Sequence, residues 1–494
     1  MIKTLLRRYL LLSGLLANVL GLFLVFYISN SLFSLYTLPV LLNKVAIYIE
    51  KHPQINSLSD PLKQLSRKLD EPAYHWKKFD RENWPTVGPD FKQLTDAELK
   101  TTEDKIFIST SKQLVEAIKN VKPGQTIIVA DGDYKISGKL IEISQYKPSK
   151  DLPVRLIAEN PGMVNLLLDT IEGILINQPY WGISGFKFTG VCEHHSKCEH
   201  ALHVTGNAEN TVIAHNEFVD FNAAIKVNRV KYHYPDSGVI KYNHFYFTSS
   251  RQTSNPVTPI NIDHANDWVV SHNIIRDFSK AAGNKVSYGA FIKGGSIGGV
   301  MENNVVICNA TGRINPEYIT VGLSIGGGGM RSEDRRDSAP FEASQVVLRN
   351  NIIFNCSDMG VYVNKGNESL INNNTVYNTN GILLRFPESD AQLMNNIVGG
   401  KIVNVGDAKL NKANNFVVPR GFLNNEEQLS SVFTSAEIGD FTFQKDQLIQ
   451  KDPAKYPQST YVFKTTEDFC GHKIGEESHF LGAYQSDKDC FIKE

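Results

Sequence analysis

A short phrase recurring along the second half of the chain restricts its fold more than any other feature. Two apolar, mostly β-branched residues are followed by a polar pair, an asparagine and another apolar pair. The phrase stands as VIAHNEF, VIKYNHF, VVSHNII, VMENNVV, VVLRNNII, LINNNTV and LMNNIV. Its asparagines are Asn216, Asn243, Asn273, Asn304, Asn351, Asn374 and Asn396, spaced by 27, 30, 31, 47, 23 and 22 residues. Periods of about 20 to 50 residues mark a repeat architecture. Short strands with no long helix between them exclude ankyrin-like and leucine-rich solenoids. An all-β chain remains: a right-handed, single-stranded parallel β-helix. A buried asparagine ladder is expected at one of its bends, with side-chain amides bonding neighbouring coils.

Each repeat carries a second strand upstream of its asparagine: IKVN (225–228), INID (260–263), AFIK (290–293), LSIG (323–326), VYVN (361–364) and ILLR (382–385). Alternation of period two buries one set of residues and turns two columns outward. The first column is Lys226, Asn261, Phe291, Ser324, Tyr362 and Leu383. The second is Asn228, Asp263, Lys293, Gly326, Asn364 and Arg385. Adjacent coils lie about 4.8 Å apart, so Asp263 is expected beside Lys293, with Asn364 and Arg385 further along. The 47-residue interval holds two insertions, NATGRINPEYIT and GGGMRSEDRRDSAPFEAS. Long loops on one edge of a solenoid commonly wall a groove, which brings Arg331, Arg335 and Arg336 towards Lys293. A solvated charged loop is the other reading of that run.

The N-terminus sets the compartment. Between Arg8 and Lys44 there is no charged residue, and Tyr9–Ser29 is long enough to cross a bilayer, which needs about 20 residues. Basic residues precede the span and none closely follows it, so residues 1–37 read as a cytoplasmic tip and signal-anchor in a bacterial inner membrane, with a cleaved signal peptide as the rival reading. Residues 38–100 read as a partly helical stalk, 101–485 as a periplasmic β-helix domain and 486–494 as a tail. The helix Ser111–Asn120 is expected to cap the first coil. Export favours disulfides among the six cysteines. Cys192 and Cys198 suit a small bridged loop, with a metal site using His194 and His195 as the alternative. Cys470 is expected to bridge Cys490, and Cys308 to stack near Cys356. Lys and Arg total 51 against 52 Asp and Glu, so no global basic field points to nucleic acid.

The blocks CEHALHVTGNAENTVIAHNEFVDFNAAIKVN, RQTSNPVTPINIDHANDWVVSHNIIRDF, SYGAFIKGGSIGGVMENNVVIC, VGLSIGGGGM and NNIIFNCSDMGVYVNK resemble a bacterial family of exported right-handed β-helix proteins, over roughly residues 100 to 485. More distantly, AFIKGGS resembles the lysine-bearing strand of the chondroitinase B and alginate lyase family. That resemblance implies a catalytic role for Lys293 and a calcium ion. The sequence departs from the family twice. Gly326 stands where the next coil should carry an arginine, and Gly289 and Phe291 occupy the stretch of the calcium ligands. No metal residues and no cofactor are assigned.

The resulting expectation is a protein acting on an acidic, uronate-containing polysaccharide. The reaction is β-elimination, with C5 epimerisation or non-catalytic polysaccharide binding as alternatives. Elimination must neutralise the uronate carboxylate, take the C5 proton and protonate the leaving oxygen. Lys293, Asp263, His264 and Arg331 are the candidate catalytic residues; Asn261, Asn364, Tyr362, Arg385 and Tyr288 are the candidate substrate-binding residues. Tyr288, Tyr362 and His264 are alternative proton carriers, because a neighbouring Asp263 favours the charged form of Lys293. A hydrolase needs two carboxylates within about 10 Å, and Asp263 with Glu388 or Asp390 is too far apart in this register.

Overall fold

The computed structural model describes residues 21, 38–50, 52, 55–69, 79–91, 102–138, 140–143, 148–310, 318–419, 427–444, 467–473, 481–484 and 490. Three long sheets dominate it. Sheet A has 12 strands, from Asp104–Ile108 to Lys409–Ala413; sheet B has 11, from Gly132–Ser137 to Phe416–Val418; sheet C has 10, from Ile141–Glu142 to Lys401–Val405. Within each, every strand pairs in parallel with its counterpart one coil away. The chain therefore winds through A, B and C in turn, which is a parallel β-helix. An antiparallel pair, Phe433–Ser435 with Asp440–Phe443, follows the last coil.

Asparagine fixes the bend between sheets A and B. The Asn216 side-chain amide donates to Asn243 Oδ1 at 3.2 Å, and the contact repeats through Asn273, Asn304, Asn351, Asn374 and Asn396. An eighth member, Asn415, accepts from Asn396 at 2.8 Å. Each Oδ1 also receives the backbone N–H of the preceding ladder residue, as Asn243 Oδ1 does from Asn216. The residue before each asparagine is left-handed, with φ between 51° and 55° from His215 to Asn414. Asparagine in that run of short, sharp corners answers both a backbone donor and a neighbouring amide inside a dry core.

The inward residues of sheet C are apolar and fully buried, among them Ile260 and Ile262, Ala290 and Ile292, Leu323 and Ile325. The helix Ser111–Asn120 forms as expected, with Thr110 accepting the Gln113 N–H at its start and Leu114 and Ile118 in the main core. The expected disulfides Cys192–Cys198 and Cys470–Cys490 are present, and Cys308 and Cys356, expected to stack, are bridged as well. Cys308 and Cys356 join successive coils.

The described residues of the stretch read as a stalk are partly helical and lie against the β-helix. Helix α1 (Leu38–Glu50) and helix α2 (Ser59–Leu69) form a hairpin tied by Lys63 and Glu50. Lys44 reaches Asp358 at 3.3 Å and Glu50 reaches Lys285 at 3.0 Å. Further on, Trp84 and Val87 bury against outward residues of sheet B such as Ile274 and Phe354. Those outward residues are apolar, so they need cover, and Phe433, Phe441 and Tyr484 complete it. Among the described residues no helix is long and apolar enough to cross a membrane. The expected anchor Tyr9–Ser29, apart from Gly21, lies outside the described residues.

Candidate functional site

Sheet C sets the geometry of the site. Its register pairs Lys226 with Asn261, Asn261 with Phe291, Phe291 with Ser324, Ser324 with Tyr362 and Tyr362 with Leu383. In the second column Asp263 pairs with Lys293 and Asn364 with Arg385. The first column runs as the alternation predicts, and the second does so at these two pairs. Long side chains then reach across them: Lys226 Nζ donates to Asn261 at 3.0 Å and to Asp263 Oδ2 at 3.3 Å.

Asp263 is buried and ringed by positive groups. Lys293 Nζ lies 3.4 Å from the same Oδ2, and His264 Nδ1 lies 2.8 Å from Oδ1. The His264 contact is close but off the hydrogen-bond axis, so charge holds it more than direction does. His264 Nε2 lies 2.7 Å from the carbonyl oxygen of Asp334. His264 is thus held between the Asp263 carboxylate and a main-chain carbonyl of the second insertion. Burial raises the Asp263 carboxyl, but His264, Lys226 and Lys293 outweigh it and hold the group well below the usual carboxylate range. Burial pushes the Lys226 ammonium down, against the pull of Asp263. One carboxylate facing two lysines and a histidine leaves the cluster with surplus positive charge.

That cluster borders a cleft of about 550 Å³. Tyr288, Phe291 and Lys293, on the strand Val286–Lys293, contribute its floor; Val257 stands on one side and Met330 and Glu342 on the other. Burial pushes the Tyr288 phenol up, while the charge of Arg385 works the other way. The second insertion is a built wall. Fully buried Glu342 accepts the N–H groups of Gly327 at 2.6 Å and Met330 at 2.9 Å. Arg335 donates to the carbonyls of Met330 and Ala339, and Arg336 grips Asp236 through two bonds. Gly326 is left-handed (φ 77°), and a β-carbon there would collide with the Asn364 carbonyl oxygen. The family's arginine therefore has no room at this position.

The structure places the expected site residues unequally. Lys293, Asp263, His264 and Asn261 come together. Arg331 does not join them: it is exposed and pairs with Asp334 and Glu333, because Arg335 and Glu342 turn the loop the other way. Tyr362, expected to face substrate, is buried and donates to Asp358 at 2.7 Å. Asn364 is fully buried and accepts from Arg385 Nε at 2.8 Å. Tyr288 lines the cleft. Lys226 was expected on a separate column, and its place at Asp263 follows from side-chain length, which register alone does not convey. Glu342 gave no signal in the sequence, since its role depends on how the insertion folds back.

Comparisons with known proteins bear on this frame. A family model described as periplasmic copper-binding protein (NosD) matches residues 331–451. That stretch contains no histidine, its single cysteine, Cys356, is bridged, and its two methionines, Met359 and Met394, are buried, so it presents no open set of the soft ligands that copper selects. Among the described residues one group, Asp468, Cys470 and His472, gathers three ligand types, but Cys470 is bridged and Asp468 accepts backbone N–H groups of that turn. These residues do not fit a copper centre. No curated protein matches the chain. Among solved structures, pectate lyase Pel9A aligns at 13% identity over 78% of this chain and 98% of its own, with a TM-score of 0.49. The alginate lyase of Paenibacillus sp. str. FPU-7 aligns at 16% identity over 64% and 96%, TM-score 0.40. The A-module of the Azotobacter vinelandii mannuronan C-5 epimerase AlgE4 aligns at 14% over 60% and 87%, TM-score 0.39. By its three all-parallel sheets and its asparagine ladder, the chain is a parallel β-helix repeat protein.

Proposed function

We propose that this protein modifies an acidic, uronate-containing polysaccharide in the Lys293 cleft, by β-elimination. The observation carrying the proposal is the cluster of one carboxylate, two lysines and a histidine beside the cleft, with Lys293 reaching its floor. A sugar carboxylate is the partner that such surplus charge suits. Lys293 is held in an ion pair with Asp263, so it serves by neutralising the uronate carboxylate, which acidifies the C5 proton. Tyr288 is the proton carrier on the same floor, since Tyr362 and His264 are engaged elsewhere. Its oxygen takes the C5 proton, the electron pair forms the C4–C5 double bond, the C4–O bond breaks, and the proton passes to the leaving oxygen. No water is consumed. C5 epimerisation shares the first step and differs in returning the proton to the opposite face of the ring.

The right hand of the coil, an anchor at Tyr9–Ser29 and a periplasmic site of action belong to the same proposal. A specific observation also favours a binding-only reading: the Lys293 amine that a base would use is already engaged with Asp263 at 3.4 Å. The test is incubation of the protein with a panel of acidic polysaccharides, following the absorbance of unsaturated ends and, by proton NMR, the C5 configuration. Unsaturated product lost in Lys293→Ala and Tyr288→Phe supports elimination. Inverted C5 without cleavage assigns the epimerase, and saturable binding with neither product assigns the scaffold.

A further inference from the structure

Most cations along the outward side of sheet C already have carboxylate partners. Lys226 and Lys293 share Asp263, Lys285 pairs with Glu50, and Lys365 pairs with Glu388. Arg385 pairs with no carboxylate among the described residues. Its Nε donates to Asn364 Oδ1 at 2.8 Å, and its guanidinium lies 4.4 Å over the Tyr362 ring and 5.5 Å over the Phe386 ring. Among the described residues its two terminal nitrogens hold no hydrogen bond.

The supports of this side chain are fixed. Asn364 is fully buried, and Tyr362 is buried with its hydroxyl on Asp358. Aromatic faces and one side-chain amide thus hold the guanidinium plane while its fork stays open. A planar fork with unused donors matches an oxyanion bidentately, and little rotamer freedom remains to be lost on binding.

We infer that Arg385 is a second subsite on the same face, taking an anionic group, a carboxylate or a sulfate ester, from a sugar ring distant from the one at Lys293. The inference rests on the reading of the cleft as a polyuronate site. The strand Gly381–Arg385 follows Val286–Lys293 in sheet C after Ile319–Ile325 and Val361–Asn364. Three coil steps amount to about 14 Å, more than two linked pyranose rings span. A ligand must therefore exceed two residues before both cations act on it, and Arg385 measures chain length as well as charge.

The experiment is calorimetric titration of the full chain with oligogalacturonates and oligoalginates of two to six residues, alongside sodium sulfate and a sulfated oligosaccharide series. Wild type is expected to gain affinity stepwise beyond the dimer. Arg385→Ala should lose about tenfold or more on the longer oligomers and nothing on the dimer. Arg385→Lys, which keeps the charge and loses the fork, should recover part of the step. Arg385-dependent binding of the sulfated series with no uronide step identifies the anion as sulfate. Identical length dependence in wild type and Arg385→Ala overturns the subsite. Because binding is read without turnover, absence of unsaturated product bears on the proposed elimination and leaves this result standing.

Discussion

Asn304 and Asn351 are 47 residues apart in sequence, yet the Asn304 side-chain amide donates to Asn351 Oδ1 at 3.0 Å. The whole second insertion and the strand Ile319–Ile325 lie between them, and the ladder passes over all of it without a break.

Asn351→Ala should therefore weaken the fold even though it touches no cleft residue. It strands the Asn304 N–H and side-chain amide, which both donate to Asn351 Oδ1. Leaving buried donors unsatisfied costs about 1–3 kcal/mol each. Urea unfolding should show a lower midpoint with an unchanged slope; a midpoint equal to wild type would contradict the ladder's structural role.

Asp263→Asn should cut stability at neutral pH by about 3 kcal/mol, because it leaves buried cations without their counter-charge. The sign with pH follows from the depressed Asp263 carboxyl. Its contribution is fully present above the ordinary unfolded value, near 4, and is lost as pH falls through the lower folded value. The gap between wild type and variant should thus stay constant from pH 7 to 5 and close only in strong acid. A gap that closes between pH 6 and 5 would contradict this assignment.

For whichever uronate polymer proves active, Lys293→Ala should lower turnover by about a hundredfold or more, with the circular dichroism spectrum unchanged. Burial holds the Tyr288 phenol above its ordinary range, so the rate should climb with pH without levelling below about 10. Tyr288→Phe should remove that climb. A plateau at neutral pH in wild type would point to a different proton carrier.

Gly326→Ala should disorganise the cleft wall. Its positive φ and the Asn364 carbonyl together leave no place for a methyl group, and strain of this kind costs about 1–3 kcal/mol. Hydrogen exchange should quicken at Gly327 and Met330, whose N–H groups Glu342 holds. Protection equal to wild type would sink the argument.

These cases also mark how far the sequence reaches. Asn351 was legible because a ladder repeats one residue type at one corner, and Asp263 beside Lys293 was legible because strand register is arithmetic once alternation is known. Tyr362 was misplaced for a different reason. Its column does face outward, but Asp358 takes its hydroxyl, Arg385 lies over its ring and Lys44 of α1 reaches the same Asp358. What covers a face is set by partners remote in sequence, and no local period encodes them. Arg331 failed likewise: a charged loop declares its composition, while Glu342 and Arg335 decide which way it turns.

The ladder has a consequence for how such a chain can change. Consecutive ladder asparagines are joined by as few as 19 residues, between Asn396 and Asn415, and as many as 47. Each amide registers only the next amide, so the length of chain between them is a free variable. A segment spliced into the Asn304–Asn351 interval leaves the stack in register if it leaves and re-enters at the same corners. Recognition loops can thus be exchanged by recombination while the scaffold keeps its order, and a grafted wall of different chemistry is a feasible way to redirect this cleft to another polymer.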